Sequence, residues 1–161
     1  MKVGLIADTH GLLRTEVWEH FAEVEHILHA GDIGPLSILT ELQTIAPVTA
    51  VWGNTDDWDI RDRVPEVAHT EIAGVQIVVL HGHQLGSPTA AKAAAAFPDS
   101  GLVLFGHSHL PGIERVGSVL AVNPGSAGPP RFGGPVTLAV ADLQDGTVDA
   151  RLITLHPQRR T

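Results

Sequence analysis

The sequence predicts an α/β fold in which two packed sheets carry helices on their outer faces. Three observations predict it. The first half alternates short apolar runs with helical stretches, as βα units do. A hairpin pattern follows in the middle. From Gly112 onward the chain reads as strands joined by tight turns. Parallel βα units followed by antiparallel hairpins pack as layers around a shared core. The 161 residues suit one domain spanning 1–161, which buries about 70% of the surface of the unfolded chain.

In order, KVGLIA (from Lys2) is a strand, followed by a helix around Arg14 to Glu23. HILHA (from His26) is a strand, followed by a helix near Pro35 to Gln43, with Pro at a favoured early position. VTAVW (from Val48) is the third strand. AHTEI and VQIVVL flank AGV and form a hairpin. A helix that includes KAAAAF follows Ser87-Pro88, because Ala is the strongest helix former. LVLF (from Leu102) is a strand. GIERV, SVLAV, PVTLAVAD and VDARLITL complete the chain, with turns at Val116-Gly117 and Asp145-Gly146.

Composition narrows the function. The net charge is −8 with no basic cluster, which excludes a broad nucleic-acid surface. No stretch approaches the roughly 18 apolar residues of a membrane span. The opening apolar run is too short for a signal peptide and is ended by Asp8. Cys is absent, which removes disulfides and thiolate metal sites and fits a cytoplasmic protein. The ten His residues, set beside acidic residues, favour hard or borderline metals such as Mn, Fe or Zn.

Five strand ends share one signature: an apolar run delivers a metal-competent side chain into a loop. They are IADTH (Asp8, His10), HAGD (Asp32), WGN (Asn54), VLHGH (His81, His83) and FGHSH (His107, His109). Open α/β sheets bind ligands beyond the carboxyl ends of their strands, so these residues are expected to converge. In extended backbone, residues i and i+2 point the same way, so Asp8 with His10, and His107 with His109, are expected to face one cavity. The Gly before Asp32, Asn54 and His107 is expected to allow a sharp turn. Two cations about 3.5–4 Å apart need a bridging anion, which Asp32 can supply. With only two Asp in the set, the site stays net positive, attracts phosphate and acidifies water.

These motifs, in this order, resemble the calcineurin-like metallophosphoesterase superfamily: D-x-H, GD, GN-x-[DE], H, then GH-x-H. VNPGSAGPPR (Val122 to Arg131) is similar to a stretch of its small single-domain phosphodiesterases. The resemblance implies a four-layer α/β/β/α sandwich with a dinuclear site at the strand ends. It implies that Asp8, His10, Asp32 and His109 hold one metal, and that Asp32, Asn54, His81 and His107 hold the other. The two divalent ions are expected to be Mn first, with Fe, Zn, Ni or Co as other candidates. The catalytic residues are then Asp32, Asn54 and His81, with a metal-bridging hydroxide attacking a small phosphodiester in line. Rival readings are a phosphomonoesterase or pyrophosphatase on the same site, or a non-catalytic scaffold with this fold. A homo-oligomer is compatible with all of them.

The chain departs from the pattern at Thr55, where many members carry His. Thr donates a hydrogen bond but is too weak an acid to protonate a leaving group near neutral pH. Asn54, Thr55 and Arg131 are the substrate-binding candidates. His83, Asp56 and His29 are candidates for supporting the ligands. Asp56 is expected either to bond a ligand His or to cap the next segment. His20, His26, His69 and His156 are read as surface residues, Trp52 as core and Trp58 as packing.

Overall fold

The computed structural model describes residues 1–130 and 134–155. Among them are ten strands, four α-helices and a 3₁₀ turn at His83–Leu85. The strands are β1 Lys2–Ile6, β2 His26–His29, β3 Val48–Ala50, β4 Val67–Ile72, β5 Val75–Leu80, β6 Leu102–Leu104, β7 Gly112–Val116, β8 Val119–Asn123, β9 Thr137–Gln144 and β10 Thr147–Thr154. The helices are α1 Thr15–His20, α2 Ser37–Gln43, α3 Trp58–Arg61 and α4 Ala90–Ala96.

The strands form two five-stranded mixed sheets, in the orders β10-β9-β1-β2-β3 and β4-β5-β6-β8-β7. In the first, β1, β2 and β3 run parallel, with β9 antiparallel to β1. In the second, β5, β6 and β8 run parallel between antiparallel β4 and β7. The carboxyl ends of β1, β2, β3, β5 and β6 are the five strand ends picked out in the sequence.

Side-chain alternation builds the layers. Val3 and Leu5 of β1 meet Ile77 and Val79 of β5, and Leu102 and Leu104 of β6, in the core between the sheets. The other face of the first sheet buries Ile6 against Val17, Phe21, Leu39 and Leu42 from the helical side. The other face of the second buries Val78 and Val103 against Ala93 and Ala94 of α4. The result is the expected order of helix, sheet, sheet, helix. Gly4 belongs to this packing, because a Cβ there would sit 2.8 Å from the Phe21 ring.

The helices are shorter than their periodicity suggests. The first covers Thr15–His20 rather than Arg14 to Glu23, and its end is a turn in which the Val24 N–H donates to the Phe21 carbonyl. The second starts at Ser37, two residues after Pro35. A one-turn helix, α3, lies just beyond the Asn54 turn. Its N-cap is Asp57, whose carboxylate accepts from the Asp59 N–H.

Candidate metal centre

Pairing of β1 with β2 continues past both strand ends. The N–H groups of Asp8, His10 and Gly11 donate to the carbonyls of Gly31, Asp32 and Ile33 at 3.0, 3.0 and 2.9 Å. Yet the ligand candidates are not extended. Asp8, His10 and Asp32 have φ of 54°, 45° and 53°, and His107 and His109 have φ of 72° and 60°. The side chains therefore converge through left-handed backbone, and the expected same-side alternation of an extended chain is not how the pairs meet. Each such residue costs on the order of 1–3 kcal/mol and persists only where its surroundings over-determine it.

The glycines differ from expectation as well. Gly31 takes a left-handed φ of 95°, but Gly53 and Gly106 do not. Their role is space. A Cβ on Gly53 would collide with the Asp32 carboxylate, and one on Gly106 would lie 2.8 Å from Asp8 Oδ2.

Each carboxylate has one oxygen anchored and one turned inward. Asp8 Oδ2 accepts from the His107 N–H at 3.1 Å, and Asp32 Oδ1 accepts from the Thr55 N–H at 3.0 Å. Asp8 Oδ1 is buried without a hydrogen-bond partner. It lies 3.4 Å from His109 Nε2, 3.7 Å from His10 Nε2 and 3.9 Å from His81 Nε2. Asp32 Oδ2 stands between His81 Nε2 at 3.2 Å and His10 Nε2 at 3.7 Å. His107 Nδ1 lies 3.3 Å from His81 Nε2. Two triads result: Asp8 with His10 and His109, and Asp8 with Asp32 and His81.

This donor set fits divalent cations. Ligand atoms about 2.0–2.2 Å from a shared ion lie roughly 3–3.5 Å from one another. His81 Nδ1 donates to the Ala30 carbonyl at 2.9 Å, so in the neutral ring the Nε2 lone pair faces Asp32. Two lone pairs 3.2 Å apart need a proton or a cation between them.

Charge agrees. Burial pushes the Asp8 carboxyl up, but His10, His109 and His81 outweigh it and hold the group below its ordinary value. Asp32 is likewise pushed up by burial, yet His81 and the Thr55 amide hold it well below the usual carboxylate range. Burial pushes His81 down, and Asp32 and Asp8 reverse that and raise it. Burial, with His81 next, lowers His107. Both carboxylates are therefore anions at neutral pH.

The remaining candidates are placed as follows. Asn54 is exposed, one residue beyond Gly53, and its carbonyl accepts from Arg61 Nη2 at 3.3 Å. Thr55 is exposed and meets Asp32 through its backbone. Asp56 neither bonds a ligand His nor caps α3. Its Oδ1 accepts from the Ile33 and Gly34 N–H groups at 2.9 and 3.1 Å, and its Oδ2 accepts from Gly53 N–H at 2.9 Å. It ties the Asp32 loop to the Asn54 loop, because three backbone donors need a buried anion more than the helix needs a second cap. The His83 ring lies 5.6 Å from the His81 ring and 6.3 Å from that of His107. His29 is fully buried and bonds Thr9. His26 is half-buried rather than a surface group, with Nε2 2.8 Å from Thr49 Oγ1 across the β2–β3 pair. Trp52 packs partly buried, with its ring facing the Arg61 guanidinium at 4.3 Å. Trp58 is 73% exposed rather than packed. Arg131 and His156 lie outside the described residues.

Sequence reasoning missed four supporting residues. Ser126 Oγ donates to the Asp8 carbonyl at 3.0 Å, and Asn123 Nδ2 donates to Ser108 Oγ at 3.0 Å. Both lie in the Asn-Pro-Gly-Ser stretch, which was the signal available. Thr9 and Arg61 gave no signal of their own.

The family model of the calcineurin-like phosphoesterase superfamily domain matches residues 1–146. The chain belongs to this superfamily. It is 32% identical to a protein of Methanothermobacter thermautotrophicus named as a probable metallophosphoesterase, over 95% of this chain and 92% of that one. Among solved structures it is similar to an archaeal phosphodiesterase, with TM-score 0.76, 26% identity and coverage of 96% of this chain and 100% of that one. It also shares the fold of Vps29 from Entamoeba histolytica, solved with zinc, with TM-score 0.77, 21% identity and coverage of 96% and 99%. In the phosphoesterase superfamily divalent metals are bound, and the two triads are where this member offers a donor set. Among the described residues no helix is long and apolar enough to cross a membrane.

Proposed function

We propose that the chain is a metal-dependent phosphodiesterase of small substrates, acting as one domain in the cytoplasm. One observation carries the reading: two buried carboxylates, each with one anchored oxygen, turn their other oxygens toward inward-facing imidazole nitrogens. Asp8, His10, Asp32 and His109 would hold one divalent cation, and Asp32, Asn54, His81 and His107 a second. Bound there, the cations supply Lewis acidity toward phosphoryl oxygens and acidify water. Manganese is the first choice, and availability decides among Mn, Fe, Zn, Ni and Co.

The chain's own residues do the rest. The His81 Nδ1–H bond to Ala30 fixes the ring so that Nε2 faces the acids. The Asn54 amide, exposed at the rim, donates a hydrogen bond to a phosphate oxygen. Thr55 supplies no acid, so leaving groups must depart without strong protonation from that position. The likeness to an archaeal phosphodiesterase favours diesters over monoesters. A scaffold without chemistry is disfavoured because every ligand position keeps a competent residue.

The test is metal-stripped protein assayed with bis-p-nitrophenyl phosphate and p-nitrophenyl phosphate, without metal and with Mn2+, Fe2+, Zn2+, Ni2+ or Co2+ in turn. Mn2+-dependent hydrolysis that favours the diester is expected; no hydrolysis with any of the five metals would sink the reading. A positioned acid is worth about 10²–10⁴-fold, so its lack at Thr55 predicts kcat falling steeply as the leaving-group pKa rises. A flat dependence would contradict it.

A further inference from the structure

Thr9 and His29 are both fully buried; Thr9 lies in the loop that carries Asp8 and His10, and His29 ends β2, just before the loop that carries Asp32. Neither is placed to bind a cation, since both face each other. Burying two polar side chains costs free energy unless each hydrogen-bonding group finds a partner. Here every partner is found, and the directions are fixed by chemistry.

The Gly31 N–H lies 3.1 Å from His29 Nδ1, and a backbone amide only donates. Nδ1 is therefore the acceptor, and the ring proton sits on Nε2. Thr9 Oγ1 lies 2.8 Å from the Ile33 carbonyl, which only accepts, so the hydroxyl proton points there. His29 Nε2–H, 3.0 Å from Thr9 Oγ1, donates into the remaining lone pairs. The relay runs from Gly31 N–H through His29 and Thr9 to the Ile33 carbonyl. It begins one residue before Asp32, passes through the residue between Asp8 and His10, and ends one residue after Asp32.

We propose that His29 and Thr9 form a positioning pair, a hydrogen-bonded relay that holds the Asp8–His10 loop against the Asp32 loop in its cation-ready geometry. Three of the residues so held are left-handed without being glycine. That strain needs compensation beyond the backbone ladder, and the relay supplies it. Burial pushes the His29 imidazole down to about 4, so the ring stays neutral, the state with one donor and one acceptor. An imidazolium would aim a second N–H at the Gly31 amide. The inference rests on the metal-centre reading for its consequence, and on the hydrogen bonds alone for its structure.

Two measurements test it. In metal-free protein, ¹⁵N NMR should show His29 as the Nε2–H tautomer. Mn2+ affinity, read by calorimetry, should fall about 10- to 100-fold in Thr9→Val, as for other groups that orient metal ligands. Thr9→Ser keeps the hydroxyl and should stay near the parent. His29→Leu should lose as much as Thr9→Val, and the double variant no more than either, because one relay is broken in all three. An Nδ1–H tautomer would overturn the proposal. So would Thr9→Val with parental Mn2+ affinity, even if its melting temperature fell. If the parent itself bound no Mn2+, the metal reading would fail separately. The tautomer and the non-additive loss of melting temperature across the same variants would still decide the relay.

Discussion

The acid-bearing loops after β1 and β2 and the rim after β3 are neighbours with opposite character. The first are largely buried, left-handed and cross-linked by backbone pairing and by the Thr9–His29 contacts, while Asp56, buried at the base of the β3 loop, ties that loop to Ile33 and Gly34. The second presents Asn54, Thr55 and Trp58 to solvent. The difference teaches where precision is needed. A cation responds to ligand displacements of a few tenths of an ångström, so its carboxylates sit in an over-determined frame. A substrate must enter and leave, so the groups that would meet it stand open.

The sharpest way to break this comparison is to remove a charge from the rigid side. Asp32→Ala should abolish binding of the pair of cations and cut diester hydrolysis by about 10³-fold or more, since metal stabilisation is worth several kcal/mol. Circular dichroism should stay native. Hydrolysis near the parental rate would contradict the comparison.

Acid is the next probe. Folded His29 stays neutral down to about 4, whereas in the unfolded chain it protonates near 6.5. The unfolded state thus binds more protons in that window, and stability is lost as pH falls from about 6.5 to about 4. At about 1.4 kcal/mol per pH unit this amounts to about 3 kcal/mol. Urea melts of metal-free protein should show a shallower acid loss in His29→Gln. His81 carries the opposite sign, because its raised value stabilises at low pH, and it is common to both proteins. Equal slopes would show that His29 is not the titrating group.

A smaller effect tests packing at the buried base of the β3 loop, where Gly53 lies against the rigid side. Gly53→Ala pushes a methyl into the Asp32 carboxylate and should cost about 1–3 kcal/mol, as overpacking does. Mn2+ affinity should fall with it, and a neutral change would mean the loop has room that the structure does not show. At the open side, Trp58→Ala should change stability by no more than about 0.5 kcal/mol, the usual range for exposed positions. A loss comparable to that of Gly53→Ala would erase the contrast between the two regions.

The contrast also explains what the sequence revealed. The five strand ends were legible because apolar runs and metal-competent residue types are local signals. The β4–β5 hairpin and the Ala-rich α4 were legible for the same reason. The pairing of β9 with β1 was not, because no local pattern says which strand lies beside which. Left-handed backbone at Asp8, His10 and Asp32 was hidden, since it is imposed by contacts from other loops. Gly53 and Gly106 look like turn glycines, yet they are small because a carboxylate occupies the space a side chain would fill. Asp56 reads in the sequence as bonding a ligand His or capping the next segment, yet two of its three backbone partners are 22 and 23 residues away in sequence.

The most direct measurement is a crystal structure of Mn2+-loaded protein with anomalous scattering recorded at the manganese edge. Two peaks about 3.5–4 Å apart are predicted, one beside Asp8, His10 and His109 and the other beside Asn54, His81 and His107, with Asp32 between them. Manganese absent from this cluster, or bound only elsewhere on the surface, would contradict the metal-centre reading.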